Sequence, residues 1–331
     1  MPIRIWDIPR EEYFHSGHRL CPGCGAGIIM RHLAKALGGR GVIAHATGCV
    51  EVSTSYYPES SWRIPWIHVA FENAAAVASG IDAAVNVLRR KGLIPEEKEV
   101  RVVAIAGDGG TFDIGFQALS GMLERGHDVL YVVYDNEAYM NTGIQRSGST
   151  PFGAWTTTTP SGKKWVYGEW RPKYRKDLLF VAMAHNIPYY ATVNPAYITD
   201  LYEKIIKALS IKGPKLIHAY SPCTPGWRIN DDDTIRVSRL AVLTGVWINL
   251  EYENGMVRVT TPVPRRKPVE EYLKIQGRFR HLTKEAIDII QKLVDEYVDR
   301  INRLVGKEVI GPVEREPGIY THIHRIRVAT N

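Results

Sequence analysis

The sequence lacks any long apolar run. No stretch reaches the roughly 18 consecutive apolar residues that a helix needs to cross a bilayer. The first residues, Met-Pro-Ile-Arg-Ile-Trp-Asp, do not contain the apolar core of a secretory signal peptide. We therefore expect a cytoplasmic protein that does not enter a membrane.

Cysteine is scarce, with four residues among 331. In a cytoplasmic chain these cysteines are not expected to form disulfides. Cys21 and Cys24 form a Cys-x-x-Cys pair, whereas Cys49 and Cys223 stand alone. The pair leaves three interpretations open, namely a redox dithiol, a zinc site and an iron–sulfur cluster.

The sequence also lacks nucleic-acid-binding motifs, since neither zinc-finger spacing nor basic runs flanked by aromatic residues occur in it. The formal net charge is +7, but acidic and basic residues are interleaved along the chain. This pattern predicts an ordinary solvated surface, with a basic face for an acidic protein partner as the alternative. No nucleic-acid partner is expected.

Apolar strand-like runs alternate with amphipathic helical segments along most of the chain. This alternation predicts an α/β protein with a doubly wound, mainly parallel sheet. The predicted strands are 41–46, 101–106, 129–134, 188–193 and 215–220. The predicted helices are 25–37, 74–91, 114–125, 176–186, 195–209 and 234–244. Residues 50–73 and 144–173 are predicted to be loops.

The C-terminal part of the sequence predicts an appendage. A turn at Asn254-Gly255 indicates a hairpin between 246–252 and 256–260. Residues 261–269 are typical of a linker, and 270–305 of a helix. We therefore predict an α/β domain over 1–260, and a linker plus helical C-terminal extension over 261–331. The apolar residues that predict packing of this helix, within the chain or against a sister subunit, are Ile287, Ile290, Leu293 and Val294.

Two segments that follow predicted strands carry the polar residues of a candidate site. Gly107-Asp108-Gly109 follows the strand 101–106, and the segment 135–143 follows the strand 129–134. Open α/β sheets bind ligands at the carboxyl ends of their strands. The glycines beside Asp108 allow backbone to approach a diphosphate closely. Carboxylate, amide and carbonyl oxygens suit Mg²⁺.

Gly-Asp-Gly, followed after one helix and one strand by asparagine, resembles the thiamine-diphosphate/Mg²⁺ signature. The resemblance implies that Asp108, the Asn136 side chain and the Ala138 carbonyl bind Mg²⁺. It also implies that Asn141 and Thr142 contact the diphosphate. A capping role within the loop is the alternative for the Thr142 hydroxyl.

The two single cysteines, Cys49 and Cys223, follow predicted strands, as Asp108 and Asn136 do. Cys24, from the Cys-x-x-Cys pair, opens a predicted helix. If these strands lie in one parallel sheet, all four thiols gather near Asp108. One Cys-x-x-Cys pair with two distant cysteines is typical of a [4Fe–4S] cluster held by the tertiary fold. A zinc knuckle normally pairs two local hairpins, and scattered buried cysteines are the remaining alternative.

Several segments together resemble the β subunit of 2-oxoacid:ferredoxin oxidoreductases, particularly the pyruvate and 2-oxoisovalerate branch. They are Cys21-Pro-Gly-Cys24-Gly, Ala46-Thr-Gly-Cys49, Phe71-Glu-Asn-Ala74, Gly107-Asp-Gly109, Tyr139-Met-Asn-Thr-Gly-Ile-Gln145 and Ser149-Thr-Pro151. The resemblance implies a thiamine-diphosphate-binding fold of the pyrophosphate-binding type. It also implies that Cys21, Cys24, Cys49 and Cys223 ligate a [4Fe–4S] cluster close to thiamine diphosphate.

The activity implied by this resemblance is oxidative decarboxylation of pyruvate, or a related 2-oxoacid such as 2-oxoisovalerate, with coenzyme A. The products are acyl-CoA, CO₂ and reduced ferredoxin. Asn141 is implied as the catalytic residue that hydrogen-bonds the substrate, and the backbone of Gly48 and Cys49 as a further cofactor contact. The segment after Asn136 differs from that of relatives selective for 2-oxoglutarate, which disfavours that substrate.

The resemblance also implies partner chains. In this family an α subunit supplies the glutamate that contacts the aminopyrimidine, and γ/δ-type subunits carry further iron–sulfur clusters. Glu72 is the best candidate for that glutamate within the present chain, ahead of Glu51 and Glu59, although a structural role is favoured for all three. The chain alone is therefore expected to be inactive.

Aromatic residues and histidines near these motifs have less specific interpretations. The loop 144–173 contains Trp155, Trp165 and Trp170, and it is predicted to cover the cofactor or to meet a partner. Structural roles are favoured for the histidines near the cysteines. These histidines are His15, His18, His45 and His68.

Two other functions remain open at this point. One is a non-oxidative thiamine-diphosphate lyase or transferase with structural zinc. The other is a non-catalytic electron-transfer subunit that holds a cluster but no thiamine diphosphate. The colour of the anaerobically purified protein distinguishes the first, and loss of thiamine binding on replacing Asp108 distinguishes the second.

Overall fold

The computed structural model describes residues 3–56, 58–95, 97–159 and 175–314. Its centre is an eight-stranded sheet in the order β2-β1-β3-β4-β6-β5-β7-β8. The strands are β1 Gly41–Ala46, β2 Trp66–Val69, β3 Arg101–Gly107, β4 Val129–Asp135, β5 Tyr189–Val193, β6 Lys215–Tyr220, β7 Leu250–Glu253 and β8 Met256–Val259. In this order, the six strands from β2 to β5 are parallel. The β7 strand is antiparallel to β5, and β8 is antiparallel to β7. The predicted mainly parallel α/β fold is confirmed.

Helices cover both faces of this sheet. Those in the described residues are α1 Gly25–Leu37, α2 Cys49–Thr54, α3 Ala74–Arg90, α4 Phe116–Glu124, α5 Leu178–Ala184, α6 Ile198–Ser210, α7 Thr224–Trp227, α8 Thr234–Thr244, α9 Val269–Lys274 and α10 Lys284–Val305. Short 3₁₀ turns span Ile5–Asp7 and Gly277–Phe279, and a π-helical turn spans Gly109–Ile114. Within the described ranges, none of the helices combines the length and the apolar character of a membrane span.

Alternate residues of the central strands enter two different cores. On β3, Val102 and Ala104 belong to the hydrophobic cluster that includes α3 and α4 residues, whereas Val103 and Ile105 belong to the cluster that includes α1 and α6 residues. This division follows from the two-residue period of a strand. Because both faces are buried, the central strands are continuous apolar runs, and this explains why they could be located in the sequence.

The sheet order determines where the candidate site lies. β1, β3, β4 and β6 are neighbours and all run parallel. The residues that follow these strands therefore share one edge of the sheet. Those residues include Cys49, Asp108, Asn136 and Cys223.

The prediction that residues 50–73 form only a loop is wrong, because they contain most of α2 and the strand β2. The α2 helix has six residues, which is too short to show a helical period. The β2 strand lies at the edge of the sheet, and its Ile67 and His68 are exposed. Only pairing with β1 defines it as a strand.

The predicted helical tail over 270–305 consists of two helices, because the chain leaves helical conformation between α9 and α10. Both helices place side chains such as Tyr272 and Ile290 in the same hydrophobic cluster as β3 and β4. The predicted intramolecular packing is thus observed, while the domain division at residue 260 stays a prediction. The hairpin turn at Asn254 and Gly255 has the two positive φ angles expected for this pair, 47° and 88°.

Candidate active site

The loop that contains the Cys-x-x-Cys pair is bound directly to the turn that contains Cys223. The Gly25 backbone N–H donates to the Pro222 carbonyl at 3.0 Å. The Thr224 hydroxyl donates to the Pro22 carbonyl at 2.8 Å. These bonds join segments about 200 residues apart in sequence.

The four thiols lie close enough to influence one another. Burial, together with the neighbouring Cys223, Cys24 and Asp108, raises the pKa of Cys49 to about 12. Burial likewise raises the pKa of Cys223 to about 12, with Cys24 and Cys21 adding to the effect. The four cysteines are therefore neighbours of one another, and Cys49 is the member of the group that lies near Asp108.

Three of the thiols lie at helix N-termini. Cys24 precedes α1, Cys49 begins α2 and Cys223 precedes α7. Backbone N–H groups of the first turns donate to Cys24 and Cys223, the latter from Gly226 at 3.4 Å. N–H donors and the positive end of a helix favour the thiolate form that metal clusters require.

The cysteine group has the donor set that a [4Fe–4S] cluster uses. Such a cluster takes one thiolate at each of its irons, and the chain has four cysteines, three of them at helix N-termini. The residues predicted to bind the cluster therefore fit it chemically, while the choice between a cluster and zinc stays a prediction.

The second group of ligands is a set of oxygens beyond β3 and β4. The Asn136 side-chain amide faces two oxygens, the Ala138 carbonyl and Asp108 Oδ1. When the amide nitrogen points toward them, it donates to these oxygens at 2.8 and 2.9 Å. When the amide is rotated by 180°, its oxygen faces the same two atoms. Three oxygens so placed are the ligands that Mg²⁺ prefers. The residues predicted to bind Mg²⁺ therefore fit that ion.

Asp108 is buried and lies beside other carboxylates. Burial raises its pKa well above the usual range, and the charge of Asp135 raises it further. The Ser147 hydroxyl donates to Asp108 Oδ2 at 2.5 Å. The π-helical turn that follows Asp108 is a feature often found at functional sites. A divalent cation would stabilise the ionised carboxylate that burial disfavours.

Asn141 and Thr142 lie on the exposed side of the same loop. The Asn141 backbone N–H donates to the Cys49 thiol, so this loop touches the cysteine group directly. The Thr142 hydroxyl donates to Gln145 Oε1 at 2.6 Å, which is a capping contact within the loop. The predicted roles of both residues toward the diphosphate and the substrate stay predictions.

The positions of Gly107 and Gly109 leave little room for a Cβ atom. A Cβ atom at Gly109 would lie 2.5 Å from the Tyr139 ring, and one at Gly107 would lie 3.2 Å from the Tyr134 ring. Tyrosine rings thus occupy the space beside both glycines. Close approach of the backbone to a diphosphate stays a prediction.

We expect Gly48→Ala to destabilise the protein, because the new Cβ would lie 2.3 Å from the hydroxyl of the buried Tyr134. Overpacking of this kind costs about 1–3 kcal/mol of unfolding free energy. Gly80→Ala is the matched control, because a Cβ on this exposed α3 position meets nothing within 4 Å. Helix propensity predicts that this control gains up to about 1 kcal/mol. Urea unfolding of both variants measures the difference, and equal stabilities would refute the prediction.

The candidate glutamates and histidines are mostly held by local contacts. The buried Glu51 accepts from the Ser55 hydroxyl at 2.7 Å. His68 Nε2 lies 2.6 Å from the Thr47 hydroxyl. Burial lowers the pKa of His45 to about 3, and neither of its ring nitrogens has a hydrogen-bond partner among the described residues, so its role stays a prediction. The half-buried Glu72 stays a candidate.

Sequence reasoning missed a buried charged group behind the oxygen ligands. Glu137 lies between two arginines, with Arg278 Nη2 at 2.6 Å and Arg175 Nη1 at 3.0 Å. On β4, Asp135 accepts from the His218 ring at 2.7 Å. Arg278 lies 141 positions from Glu137, so no local pattern could have revealed the pair.

Trp155, from the predicted loop 144–173, packs against the Arg228 guanidinium, whose central carbon is 4.1 Å from the ring centroid. Trp165 and Trp170 lie outside the described residues.

Residues 46–219 match the family described as thiamine pyrophosphate enzyme, C-terminal TPP binding domain. The matched residues include β3 and β4 and contain Asp108, Asn136 and Cys49, whereas Cys21, Cys24 and Cys223 lie outside them. The family match therefore concerns the part of the fold that holds the oxygen-bearing residues.

Curated relatives are similar over almost their whole length. Pyruvate synthase subunit PorB of Methanocaldococcus jannaschii is 58% identical, over 88% of this chain and 97% of the relative. PorB of Thermotoga maritima is 50% identical, over 91% and 96%. Ketoisovalerate oxidoreductase subunit VorB of Pyrococcus abyssi is 47% identical, over 92% and 96%.

One solved structure shares the fold. It is the 2-oxoglutarate:ferredoxin oxidoreductase from Magnetococcus marinus with 2-oxoglutarate, coenzyme A and succinyl-CoA bound. The TM-score is 0.52 at 20% identity, over 69% of this chain and 79% of that one.

Proposed function

Since this chain belongs to the β subunits of the 2-oxoacid:ferredoxin oxidoreductases, we propose that it binds thiamine diphosphate, Mg²⁺ and a [4Fe–4S] cluster in a complex that oxidises pyruvate. The complex would convert pyruvate and coenzyme A to acetyl-CoA and CO₂, and it would pass the electrons to ferredoxin. The observation that supports this proposal is the shared edge of β1, β3, β4 and β6, where Cys49 lies near Asp108 and the Asn136 side chain meets Asp108 and the Ala138 carbonyl.

Each residue group has a distinct task in this proposal. Thiamine diphosphate supplies the nucleophilic carbon and the electron sink when it is bound. Asp108, the Asn136 side chain and the Ala138 carbonyl hold Mg²⁺ and so fix the diphosphate at the strand ends. The exposed Asn141 hydrogen-bonds the substrate, and Thr142 and the backbone at Gly48 add cofactor contacts.

The loop that borders the substrate also touches the cysteine group. The Asn141 backbone N–H donates to the Cys49 thiol, and a Cβ atom added to Gly226 would lie 2.3 Å from the Met140 sulfur. The same loop therefore packs against the turns of two proposed cluster ligands. A cluster held by these cysteines would therefore lie next to the substrate loop and would supply one-electron transfer there, which supports an iron–sulfur protein as the acceptor.

The proposal requires other chains. Glu51 is engaged with Ser55, so it is disfavoured as the glutamate for the aminopyrimidine. In this proposal an α subunit supplies that glutamate, and Glu72 is the alternative within this chain. Further γ/δ-type subunits would carry electrons from this cluster to ferredoxin. We therefore expect catalytic activity only from the assembled complex.

The substrate can be tested in the purified, anaerobic complex. We expect the highest kcat/KM with pyruvate, because the more similar relatives described above are pyruvate synthase subunits. Turnover should require coenzyme A and a low-potential acceptor. A higher kcat/KM with 2-oxoisovalerate would identify the branched-chain enzyme instead, and a complex that oxidises neither 2-oxoacid would refute the proposal.

Metal analysis of the same preparation separates the oxidative function from a non-oxidative lyase. We expect a brown protein that contains iron and acid-labile sulfide, with a broad absorption band in the visible region. A colourless protein with stoichiometric zinc would contradict the cluster assignment.

A further inference from the structure

One strained residue bends the loop that carries the oxygen ligands. Glu137 has a φ angle of 67°, a left-handed conformation that residues other than glycine rarely adopt. It stands between Asn136 and Ala138. The reversal of the chain at Glu137 allows the side chain of one neighbour and the carbonyl of the other to meet at 2.8 Å beside Asp108.

Every polar group of Glu137 is engaged by a neighbour. Its backbone N–H donates to Asp135 Oδ1 at 3.0 Å, and its carbonyl accepts from the Thr150 hydroxyl at 2.6 Å. Its carboxylate oxygens bind Arg278 at 2.6 Å and Arg175 at 3.0 Å. The Glu137 side chain is only 1% exposed. A strained conformation persists where the surroundings determine it in this way.

Arg278 connects this loop to the turn of a proposed cluster ligand. Its guanidinium carbon lies 3.8 Å from the centroid of the Trp227 ring. Trp227 Nε1 in turn donates to the Asn136 carbonyl at 2.8 Å. Trp227 is the last residue of α7, which begins directly after Cys223. One arginine from the C-terminal extension therefore contacts both Glu137, beside the proposed Mg²⁺ ligands, and Trp227, on the turn that follows Cys223.

We propose that Glu137, held by Arg278 and Arg175, is a positioning residue that keeps Asn136 and Ala138 in the geometry needed for Mg²⁺. We call these three residues the Glu137 clamp. The proposal rests on the proposed function, because it concerns the Mg²⁺ that accompanies thiamine diphosphate. Residues that orient metal ligands from behind typically change metal affinity by roughly 10- to 100-fold when they are replaced.

The test measures cofactor binding by the whole complex. The complex is stripped with a chelator and mixed with thiamine diphosphate over a range of Mg²⁺ concentrations, and the thiamine diphosphate retained after gel filtration is measured. We expect Arg278→Met to raise the half-saturating Mg²⁺ concentration by roughly 10- to 100-fold. Saturating Mg²⁺ should restore retention, which would not follow from a merely structural defect.

Glu137→Gly tests the clamp most directly. Glycine adopts positive φ without strain. This variant can therefore keep the left-handed backbone conformation at position 137 while it loses the carboxylate that binds the two arginines. We expect it to need more Mg²⁺ than the wild type. Arg278→Lys keeps a positive charge at the site but lacks the planar guanidinium that can donate two parallel hydrogen bonds. The same Mg²⁺ measurement on this variant tests the clamp if neither Arg278→Met nor Glu137→Gly folds.

Lys204→Met is the matched control. Lys204 is a buried cation on α6 that binds Asp200 at 2.7 Å and the Thr192 carbonyl at 2.9 Å. Its loss should lower the melting temperature without changing the half-saturating Mg²⁺ concentration. Wild-type Mg²⁺ dependence in any folded clamp variant would overturn the inference. A wild-type complex that retains no thiamine diphosphate at any Mg²⁺ concentration would instead overturn the proposed function.

Discussion

Replacing Asp108 with alanine is expected to abolish Mg²⁺-dependent retention of thiamine diphosphate and turnover of the complex. Asp108 supplies the only carboxylate among the three proposed Mg²⁺ ligands. Its loss leaves two neutral oxygens, which bind a hard divalent cation weakly. We expect turnover to fall by more than about 100-fold, because replacing a residue that only orients a metal ligand already lowers metal affinity or activity by up to about 100-fold. Retention by gel filtration and turnover with pyruvate measure both effects.

Asp128→Ala is the control for this variant. Asp128 directly precedes β4, at the opposite end of that strand from Asn136. It forms ion pairs with Lys215 and with Lys212, the latter at 3.2 Å. We expect a modest loss of stability with cofactor binding unchanged. Undiminished thiamine diphosphate binding in the Asp108 variant would exclude Asp108 from the site and favour a non-catalytic cluster subunit.

Cys223→Ser is expected to remove the iron–sulfur cluster and to abolish ferredoxin reduction by the complex. The Cys223 sulfur accepts a hydrogen bond from the Gly226 backbone N–H. A serine hydroxyl can accept the same bond, because serine is a good helix cap, so the substitution removes mainly the thiolate ligand. We expect the visible absorbance, the iron and the acid-labile sulfide to fall together, with turnover reduced to background.

The two substitutions serve as controls for each other. Asp108→Ala should keep the iron and lose thiamine diphosphate, whereas Cys223→Ser should lose the iron and keep Mg²⁺-dependent thiamine diphosphate binding. Separate losses are expected because the two ligand sets come from different residues, although the Asn141 N–H on the Cys49 thiol joins their loops. A Cys223→Ser protein with full iron content and wild-type absorbance would refute the ligand assignment.

The central strands and the ligands that follow them could be predicted from the sequence. Strands buried on both faces are recognisable as short apolar runs, and β3 and β4 were located to within one residue. The residues that follow parallel strands of one sheet lie at the same edge of that sheet. With the prediction of a mainly parallel sheet, this rule predicted a common edge for Asp108, Asn136, Cys49 and Cys223.

The sequence by itself thus determined the fold class and the positions of Asp108, Asn136, Cys49 and Cys223 directly after strands, because each depends on patterns within a few residues. Only the tertiary structure decided that Trp66–Val69 pairs as the edge strand β2, and that the chain turns between α9 and α10 so that Arg278 reaches Glu137. Those contacts join residues far apart in the chain. Their partners are selected by packing rather than by local periodicity, so a single sequence carries no signal for them.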